Sequence, residues 1–424
     1  MTISFIHCSD LHLGYNQFGL EERFLDFGRT FSHIVNDAVA REVDYFLIAG
    51  DFFNKRTINS RTLLQAIDGL ERLKGAGIEV IAIEGNHDKA PYEDRDSWMH
   101  FLGERGYIHL LKPTIRDGKL VLDSNNVLCF PKIRFVGLGY FGSMTERRLK
   151  ELSELLNPSE DFTVLLLHSA ADRLLHLGGV PFEAFAGLEG VVDYAAMGHV
   201  HERYEIDDWI YNPGAPECWD LGEAHKEKGY YHVVISNGEK TVEHIPSIRR
   251  PICDIELDLS GTFTLEQVYD KCLQAVLEGG AESDDGVIIR LVIYGQVTFN
   301  PLTIDQARLA EEIHNAVSPV HVEIINQTIQ EGYDFDSFDA KLDRAVLEER
   351  VLKGLASSYF SSRFEIDDHF LDEIVHAARS IKALAISNDE QGMTDAVQAL
   401  AKELLKRSPL PADESQGGAA GENL

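Results

Sequence analysis

Several protein classes are excluded by what this sequence of 424 residues lacks. Its five cysteines form no CxxC pair, which argues against a disulfide framework or a structural zinc site and favours a reducing compartment. No apolar run approaches the length that spans a membrane, and the N-terminus has no basic region followed by an apolar stretch. We therefore expect a cytoplasmic protein without membrane association, built from two or three domains.

Basic residues are also scarce, since 39 lysines and arginines stand against 70 aspartates and glutamates, a formal net charge of −31. Residues 1–250 carry a net charge of −12 and residues 251–424 a net charge of −19. Contacts from lysine and arginine to phosphates dominate the affinity of ordinary DNA-binding proteins. If the substrate is DNA, bound metal ions and a partner protein must supply much of the attraction.

What the sequence does contain is a set of seven potential metal ligands at the ends of five apolar, strand-like runs. The runs cover residues 3–6, 45–48, 80–83, 163–167 and 194–197, and the ligands are Asp10, His12, Asp51, Asn86, His168, His199 and His201. Short apolar runs bounded by glycine or aspartate are typical of strands buried on both faces. Carboxylate, imidazole and amide ligands suit Mn²⁺, Fe²⁺ or Zn²⁺, and seven exceed what one tetrahedral ion needs. The pattern therefore predicts two divalent ions.

Residues among these ligands are candidates for the chemistry. Asp51 lies centrally in the series and is the best candidate for a carboxylate that bridges two cations. Two bridged ions lower the pKa of a water molecule and hold the attacking and leaving oxygens of a phosphate. His87 either orients the phosphate or protonates the leaving alkoxide, unless it is only a hydrogen-bond partner. Asp88 either orients a metal-binding or catalytic histidine or caps a helix.

The apolar spacing also predicts the order of helices and strands. Helices are expected over residues 22–41, 61–75 and 97–106, alternating with the first strands, which favours a largely parallel sheet covered on both faces. After residue 110 the pattern becomes that of β-strands, and Asn237-Gly238 predicts a hairpin turn.

The rest of the chain predicts further domains. A β-α-β-α-β series runs from residue 254 to 326, a helix-like region follows, and the C-terminus is rich in proline, glycine, serine and acidic residues. The predicted divisions are a catalytic domain at 1–248, a small α+β domain at 249–332, a helical region at 333–407 and a disordered tail at 408–424.

In this order, the Asp-x-His, Gly-Asp, Gly-Asn-His-Asp, lone His and Gly-His-x-His motifs resemble those of the calcineurin-like metallophosphoesterases. Within that superfamily the chain is similar to the SbcD-type DNA repair nucleases, through residues 10–18, 47–51, 82–88, 198–201 and 213–220. The resemblance implies an α/β fold, a four-layer α/β/β/α sandwich with a dinuclear centre. A small α+β capping domain and a C-terminal helical region would complete it.

The resemblance also implies roles for individual residues. One ion would be held by Asp10, His12, Asp51 and His201, and the other by Asp51, Asn86, His168 and His199. His87 would act on the phosphate. Enzymes of this kind prefer Mn²⁺, cut DNA ends exonucleolytically in the 3′-5′ direction and cut single strands endonucleolytically.

Partners follow from the same resemblance. Such nucleases dimerise through helices of the nuclease domain, here residues 61–74 and 97–106, and work with an SbcC-like coiled-coil ATPase of the ABC type. The chain has no G-x-x-x-x-G-K-[ST] loop, so ATP dependence would have to come from that partner. Residues 333–407 would either dock on the ATPase or form a plain helical bundle.

Further positions are candidates for substrate binding or for supporting the site. Asn54 stands where archaeal and eukaryotic members of the family have a second catalytic histidine, so exonuclease activity is expected to be weaker or differently oriented. Tyr15 and Trp219 either line the site or pack in the core. Residues 212–215 are expected to turn close to the site.

Three functions are compatible with these features. The first is a Mn²⁺-dependent DNA nuclease subunit of a repair complex. The second is a phosphodiesterase or phosphatase for a small molecule such as a cyclic nucleotide, which the missing basic surface favours. The third is a scaffolding subunit with a vestigial metal site, and the intact set of seven ligands argues against it.

Overall fold

Apolar strands in the first 250 residues form two mixed six-stranded sheets. The structure is a computed structural model that describes residues 2–91, 94–171, 179–280, 286–331, 352–353, 368–386, 392, 394–399 and 402. In both sheets the central strands are parallel. The first sheet, in the order β14-β13-β1-β2-β3-β4, contains β1 (Thr2–Cys8), β2 (Tyr45–Ala49), β3 (Glu79–Ile83), β4 (His109–Leu110), β13 (Gly229–Ser236) and β14 (Glu239–Pro246). The second, in the order β11-β12-β10-β9-β8-β7, contains β7 (Val127–Phe130), β8 (Ile133–Gly139), β9 (Phe162–His168), β10 (Tyr194–Gly198), β11 (Tyr204–Ile206) and β12 (Ile210–Asn212).

Amphipathic helices cover the outer faces of these sheets. The helices of this part of the chain are α1 (Glu21–Ala40), α2 (Ser60–Gly75), α3 (Trp98–Glu104) and α4 (Thr145–Leu155). Two of them begin at a side-chain cap: Asn59 accepts the Thr62 N–H, and Ser97 accepts the His100 N–H. All three helices predicted over residues 22–41, 61–75 and 97–106 are present. Short 3₁₀ segments occur at Gln17–Gly19, Gly142–Met144, Phe182–Leu188, Leu221–Glu223 and Pro301–Thr303.

Three apolar layers give this part of the chain its architecture. Alternate residues of β1 point to opposite faces, so Ile6 packs under the helices α1 to α3 while Phe5 packs between the two sheets. On the far side of the second sheet, Leu149 of α4 and Phe185 pack against its outer face. The layers are therefore helix, sheet, sheet and helix, and the predicted four-layer α/β/β/α sandwich is confirmed.

Two hairpins match the turn signals in the sequence. Ser236 pairs with Glu239 across Asn237 and Gly238, whose φ angles of 53° and 84° are those of a tight turn between antiparallel strands. A smaller hairpin joins β5 (Thr114–Arg116) to β6 (Lys119–Val121).

The predicted β-α-β-α-β series is also present after residue 250. It consists of β15 (Ile252–Asp258), α5 (Leu265–Glu278), β16 (Ile288–Val297), α6 (Gln306–Val317) and β17 (His321–Gln330), with the strands in the order β15-β16-β17. Further along the chain, Asp368–Ile386 forms α7. Most of the predicted helical region and all of the predicted tail at 408–424 lie outside the described residues.

Contacts divide the chain into two compact units. The first comprises Met1–Glu256, Cys272–Val292 and Ala307–Ile325, and the second Leu257–Lys271, Ile293–Gln306 and Asn326–Leu424. The first contains both six-stranded sheets. The domain boundaries expected from the sequence stay a prediction.

Candidate metal centre

The predicted ligands lie where strands of the two sheets end. Parallel strands place their carboxyl ends at the same edge, so the loops after β1, β2 and β3 meet. The Asp10 N–H donates to the Gly50 carbonyl at 3.1 Å, and the His12 N–H to the Asp51 carbonyl at 3.0 Å. These backbone bonds hold the loops after β1 and β2 side by side.

Four of the seven predicted ligands have left-handed backbone conformations. The φ angles are 53° at Asp10, 46° at His12, 50° at Asp51 and 96° at His199. Non-glycine residues rarely adopt such angles, and they cost free energy that the surrounding structure must supply. Strain concentrated at one strand edge is a mark of a functional site.

Glycines beside the ligands allow a close approach. A Cβ atom at Gly85 would lie 2.1 Å from Asp51 Oδ1, and one at Gly198 would lie 2.3 Å from the Ala49 carbonyl oxygen. The glycines in the Gly-Asn-His-Asp and Gly-His-x-His motifs are therefore needed for space.

Acidic and imidazole groups converge in three overlapping groups. In each, the potential ligand atoms all lie within 4.8 Å of one another. The groups are Asp10 with His12 and His201, Asp10 with Asp51 and His168, and His12 with Asp51 and His87. Asp10 and Asp51 each occur in two of them, so both carboxylates lie between the histidines.

Several nitrogen and oxygen atoms of this cluster lie close together, and some of them have no hydrogen-bond partner. His12 Nε2 and His201 Nε2 face each other at 3.2 Å. His168 Nε2 lies 3.2 Å from Asp51 Oδ2, and it is buried without a hydrogen bond, as is Asn86 Oδ1. Buried polar atoms are normally hydrogen-bonded, so unpaired nitrogen and oxygen atoms of this kind fit the role of ligands to a divalent ion.

The electrostatics of the pocket favour positive charge. Burial lowers the pKa of His12 to about 3, which keeps its imidazole neutral, the form that binds a metal. Burial also acts to lower the pKa of His168, but Asp51 and Asp10 outweigh it and raise this pKa to about 9. A pocket that holds a proton on a buried histidine is one that stabilises a cation.

His199 and Asn86 lie at the same edge. The His199 N–H donates to Asp10 Oδ2 at 3.0 Å, and the His199 ring centroid is 5.1 Å from that of His168. Asn86 is held through its neighbour, because the His87 N–H donates to Asp51 Oδ1 at 2.8 Å.

His87 presents one ring nitrogen to the cluster. Its Nδ1 is 2.7 Å from the Asn54 carbonyl oxygen, an acceptor, so Nδ1 carries the proton of that bond. The ring centroid lies 5.0 Å from that of His12. Nε2 is therefore the atom available for a phosphate.

Comparison with known proteins identifies this arrangement. The family model of the calcineurin-like phosphoesterases matches residues 3–203. The DNA double-strand break repair protein Mre11 of Aeropyrum pernix is 30% identical over 280 residues, which cover 64% of this chain and 68% of that protein. The chain belongs to the Mre11 family.

One further relative and one solved structure complete the comparison. The protein of the same name from Archaeoglobus fulgidus is 28% identical over 373 residues, covering 80% of each chain. A dimetal phosphatase from Danio rerio, 12% identical with a TM-score of 0.37, aligns with 58% of this chain and 98% of its own. As a member of the Mre11 family, with this cluster of ligands, the chain is a metal-dependent phosphoesterase with two divalent ions.

Asp88 plays a part that the sequence did not indicate. Its carboxylate accepts the backbone N–H groups of Phe52, Phe53 and Gly85 at 3.0–3.2 Å. These bonds tie the Asp51 loop to the Asn86 loop. Neither expected role, orienting a histidine or capping a helix, describes this contact, because the carboxylate is engaged by loop backbone.

Asn54, Tyr15 and Trp219 lie together beside the cluster. Trp219 Nε1 donates to Asn54 Oδ1 at 3.0 Å, and the Tyr15 ring stacks on Trp219 at 5.5 Å. The Trp219 ring is 6.0 Å from that of His12. Tyr15 also packs edge-on against Phe27 at 5.3 Å, so in this family member it both borders the site and joins the core.

The turn at residues 212–215 is close to the site, as expected. The Ala215 N–H donates to the His201 carbonyl at 3.2 Å, and a Cβ atom at Gly214 would lie 2.8 Å from the same oxygen. Asn212 Nδ2 donates to the carbonyls of Val200 and Glu202 at 2.8 Å each. The turn therefore supports the Gly-His-x-His loop.

Sequence reasoning missed three residues of the site. Glu223 Oε1 is 2.9 Å from His201 Nδ1, and Lys228 Nζ donates to Glu223 Oε2 at 2.6 Å. The Tyr140 ring lies 5.5 Å from that of His199. No short motif links these residues to the predicted ligands.

Proposed function

We propose that this chain is a DNA repair nuclease that hydrolyses phosphodiesters as a 3′-5′ exonuclease and a single-strand endonuclease. The observation that carries the proposal is the position of His87, which is bonded through Nδ1 to the Asn54 carbonyl and lies in a cluster of candidate metal-binding groups in a chain of the Mre11 family. Its relatives bear the name DNA double-strand break repair protein. A phosphate held at the cluster would lie within reach of this imidazole.

We assign the ligands as the sequence motifs suggest. One ion would be held by Asp10, His12, Asp51 and His201, and the other by Asp51, Asn86, His168 and His199, with Mn²⁺ as the proposed metal. When bound, two such ions supply hydroxide from water near neutral pH and stabilise the charge of the phosphate.

Side chains of the protein would orient the phosphate and protonate the leaving alkoxide. The Asn54 carbonyl accepts from Nδ1 of His87, and in the imidazolium form Nε2 also carries a proton, which it can donate to a phosphate oxygen or give to the leaving alkoxide. Asp88 keeps the Asp51 and Asn86 loops in register through backbone amides. Asn54 itself directs its side-chain oxygen to Trp219. It is therefore a supporting residue in this proposal, in place of the family's second catalytic histidine.

The acidic excess is not uniform along the chain. Residues 51–150, which contain Asp51, Asn86 and His87, hold 16 basic and 13 acidic residues, whereas the whole chain has a net charge of −31. Burial and then the nearby cations Lys112 and Arg56 lower the pKa of Lys89, with Glu84 as the main opposing charge. Lys89 and Lys112 both pair with Glu84, so it is the small positive balance of residues 51–150 as a whole that supports the approach of a polyanion.

The proposal includes two partners. We propose a homodimer through α2 and α3, the helices expected at 61–74 and 97–106. An SbcC-like coiled-coil ATPase would bind the region 333–407, most of which lies outside the described residues. No helix among the described residues is long and apolar enough to cross a membrane. A cytoplasmic location stays a prediction.

The test is hydrolysis by the purified chain with Mn²⁺ at low salt, on labelled linear DNA and on bis-p-nitrophenyl phosphate in parallel. Cleavage of both, lost in Asp51→Ala, supports the nuclease. Cleavage of the small diester alone, also after addition of a coiled-coil ATPase partner, would contradict it and favour the small-molecule phosphodiesterase that the net charge of −31 suggests.

A further inference from the structure

The segment between β12 and β13 contacts two functional histidines from one side. Trp219 borders His12 and His201, with ring centroids 6.0 and 5.7 Å away. Glu223, four residues further on in a short 3₁₀ segment, meets His201 Nδ1 at 2.9 Å. The family's ligands and its phosphate-directed histidine do not include either residue.

Trp219 reaches His87 through one intermediate residue. The indole Nε1–H donates to Asn54 Oδ1 at 3.0 Å, and His87 Nδ1 donates to the Asn54 carbonyl at 2.7 Å. Asn54 is buried, and its N–H donates to the Leu13 carbonyl at 3.0 Å. The side-chain bond to Trp219 therefore fixes the residue whose carbonyl sets the tautomer and direction of the His87 ring.

Glu223 acts on His201 directly. Because its carboxylate accepts from Nδ1, the other nitrogen, Nε2, is the one directed at the metal cluster. Lys228, whose side chain is 1% exposed, donates to Glu223 Oε2 at 2.6 Å and to the His201 carbonyl at 3.0 Å. A buried ammonium is costly unless paired, so this lysine is placed to hold Glu223 against His201.

Buried groups anchor the start of the same segment. Arg23, fully buried on α1, donates to Glu217 Oε1 at 3.2 Å and to the Cys218 carbonyl at 3.1 Å. Gln17 Nε2 donates to the Trp219 carbonyl at 2.9 Å, and Arg23 Nε donates to Gln17 at 2.8 Å. Packing alone would not require this number of polar contacts to three consecutive residues.

We infer that Trp219 and Glu223 are positioning residues of the phosphoesterase site, Trp219 for His87 through Asn54 and Glu223 for the metal-binding nitrogen of His201. The inference rests on the roles proposed above for His87 and His201. It predicts two separable defects from changes only four residues apart.

The first experiment separates positioning from packing at Trp219. Trp219→Phe keeps an aromatic ring and removes the N–H donor. With Mn²⁺ and bis-p-nitrophenyl phosphate we expect kcat to fall about 5- to 10-fold, the loss typical of one hydrogen bond, with KM and metal content unchanged. In a His87→Ala background the same change should cost nothing further, because the residue it positions is gone.

An equal loss in both backgrounds, or no loss in either, would overturn the Trp219 assignment. A readout that needs no turnover is the ¹⁵N resonances of the His87 ring. They should show a proton on Nδ1 in the wild type and a mixture of tautomers in Trp219→Phe. Unchanged resonances in the variant would count equally against the role.

The second experiment addresses Glu223 by metal binding. Glu223→Ala should weaken Mn²⁺ affinity about 10- to 100-fold by calorimetric titration, the usual effect of removing a carboxylate behind a metal-binding histidine. Glu223→Gln keeps the acceptor oxygen and should lose less. Trp219→Phe should bind Mn²⁺ as the wild type does, which makes it the matched control on the same segment.

Glu227→Ala is a second control, since Glu227 is 69% exposed and pairs only at the surface with Arg203. Equal thermal midpoints for all variants exclude unfolding as the cause. Wild-type affinity in Glu223→Ala would reject its role. If the wild type binds Mn²⁺ and Glu223→Ala does not, but DNA remains uncut, the nuclease proposal fails while the positioning of His201 stands.

Discussion

The two sheets would supply the proposed metal centre with different chemistry. The first provides both carboxylates, the amide and one imidazole, through Asp10, Asp51, Asn86 and His12. The second provides only imidazoles, which are His168, His199 and His201. Negative charge is thus concentrated in loops that are joined to one another by backbone hydrogen bonds, whereas imidazole side chains approach from the opposite sheet.

This difference between the sheets indicates what each one contributes to the proposed metal centre. Carboxylates compensate the charge of the ions and can bridge them, so their loops must be held rigidly, as Asp88 holds them. The histidines of the second sheet are placed across an interface of packed apolar side chains, including Phe5 and Leu166. Contacts such as that of His168 Nδ1 with the Ala49 carbonyl, at 2.8 Å, join the two sheets at the site.

The largest effect should follow from removing the shared carboxylate of the first sheet. Asp51→Ala should release both ions and reduce turnover by at least about 1000-fold, because both the bridge and its charge are lost. Elemental analysis after gel filtration measures the ions. Asp96→Ala is the control, because Asp96 is 70% exposed and pairs only with His100 at 3.5 Å. Unchanged metal content in Asp51→Ala would refute the bridging role.

A ligand of the second sheet should behave differently. His168→Ala should retain one ion, since the proposed set of Asp10, His12, Asp51 and His201 stays intact, and turnover should fall about 1000-fold because one of two ions is missing. Metal-to-protein ratios near one for this variant and near zero for Asp51→Ala would support the asymmetry. Equal metal-to-protein ratios in the two variants would contradict the proposed difference between the two sheets.

His87 tests the part of the site that belongs to neither ligand set. His87→Ala should keep both ions and lose turnover by about 100-fold or more, in the range of a general acid or phosphate-binding group. His33→Ala, an exposed change on α1, serves as control. Turnover at the wild-type level with full metal content would remove His87 from the mechanism.

The contact between the sheets can be disturbed without replacing a ligand residue. Gly198→Ala would place a Cβ atom 2.3 Å from the Ala49 carbonyl oxygen and 2.9 Å from His168 Nδ1, so the sheet edges must separate. We expect a loss of about 1–3 kcal/mol in the free energy of unfolding, with weaker metal binding. Gly75→Ala, where no heavy atom lies within 4 Å, should be close to neutral in denaturant titrations. Equal stability of the two variants would contradict the close approach.

The smallest expected effect lies on the outer side of the second sheet. Burial acts to raise the pKa of Glu151, but the Leu120 N–H and the guanidinium groups of Arg148 and Arg147 outweigh it and lower this pKa to about 2. Because the folded pKa lies below the ordinary value of 4.5, this stabilisation is present above pH 4.5 and is lost as the pH falls towards 2.

The measurement for Glu151 is the free energy of unfolding against pH. Glu151→Gln should flatten the curve between about pH 4.5 and 2 and leave its metal affinity unaltered, since Glu151 is remote from both sets of ligands. A wild-type slope in the variant would show that another carboxyl group is responsible.

Much of the fold was predictable from local sequence. The strands that carry the ligands are short apolar runs that end at a charged or polar residue, so their position and the character of the site follow from the same residues, such as Asp51 after β2. Asn237-Gly238 likewise specified its hairpin, because these residues readily adopt positive φ angles. The motifs also sufficed to indicate the family and the four layers.

Contacts between residues distant in sequence were decided only by the tertiary structure. Trp219 and Asn54 are 165 residues apart, and no pattern along the chain links an indole to that amide. The histidine contact of Glu223, 22 residues from His201, and the backbone contacts of Asp88 depend on how loops pack once the sheets have formed. The sequence by itself determined which groups are candidates for metal binding and where strands end, because both are local chemistry. The tertiary structure decided which neighbours orient them, because a polar side chain takes its partner from whatever folding brings within hydrogen-bond distance.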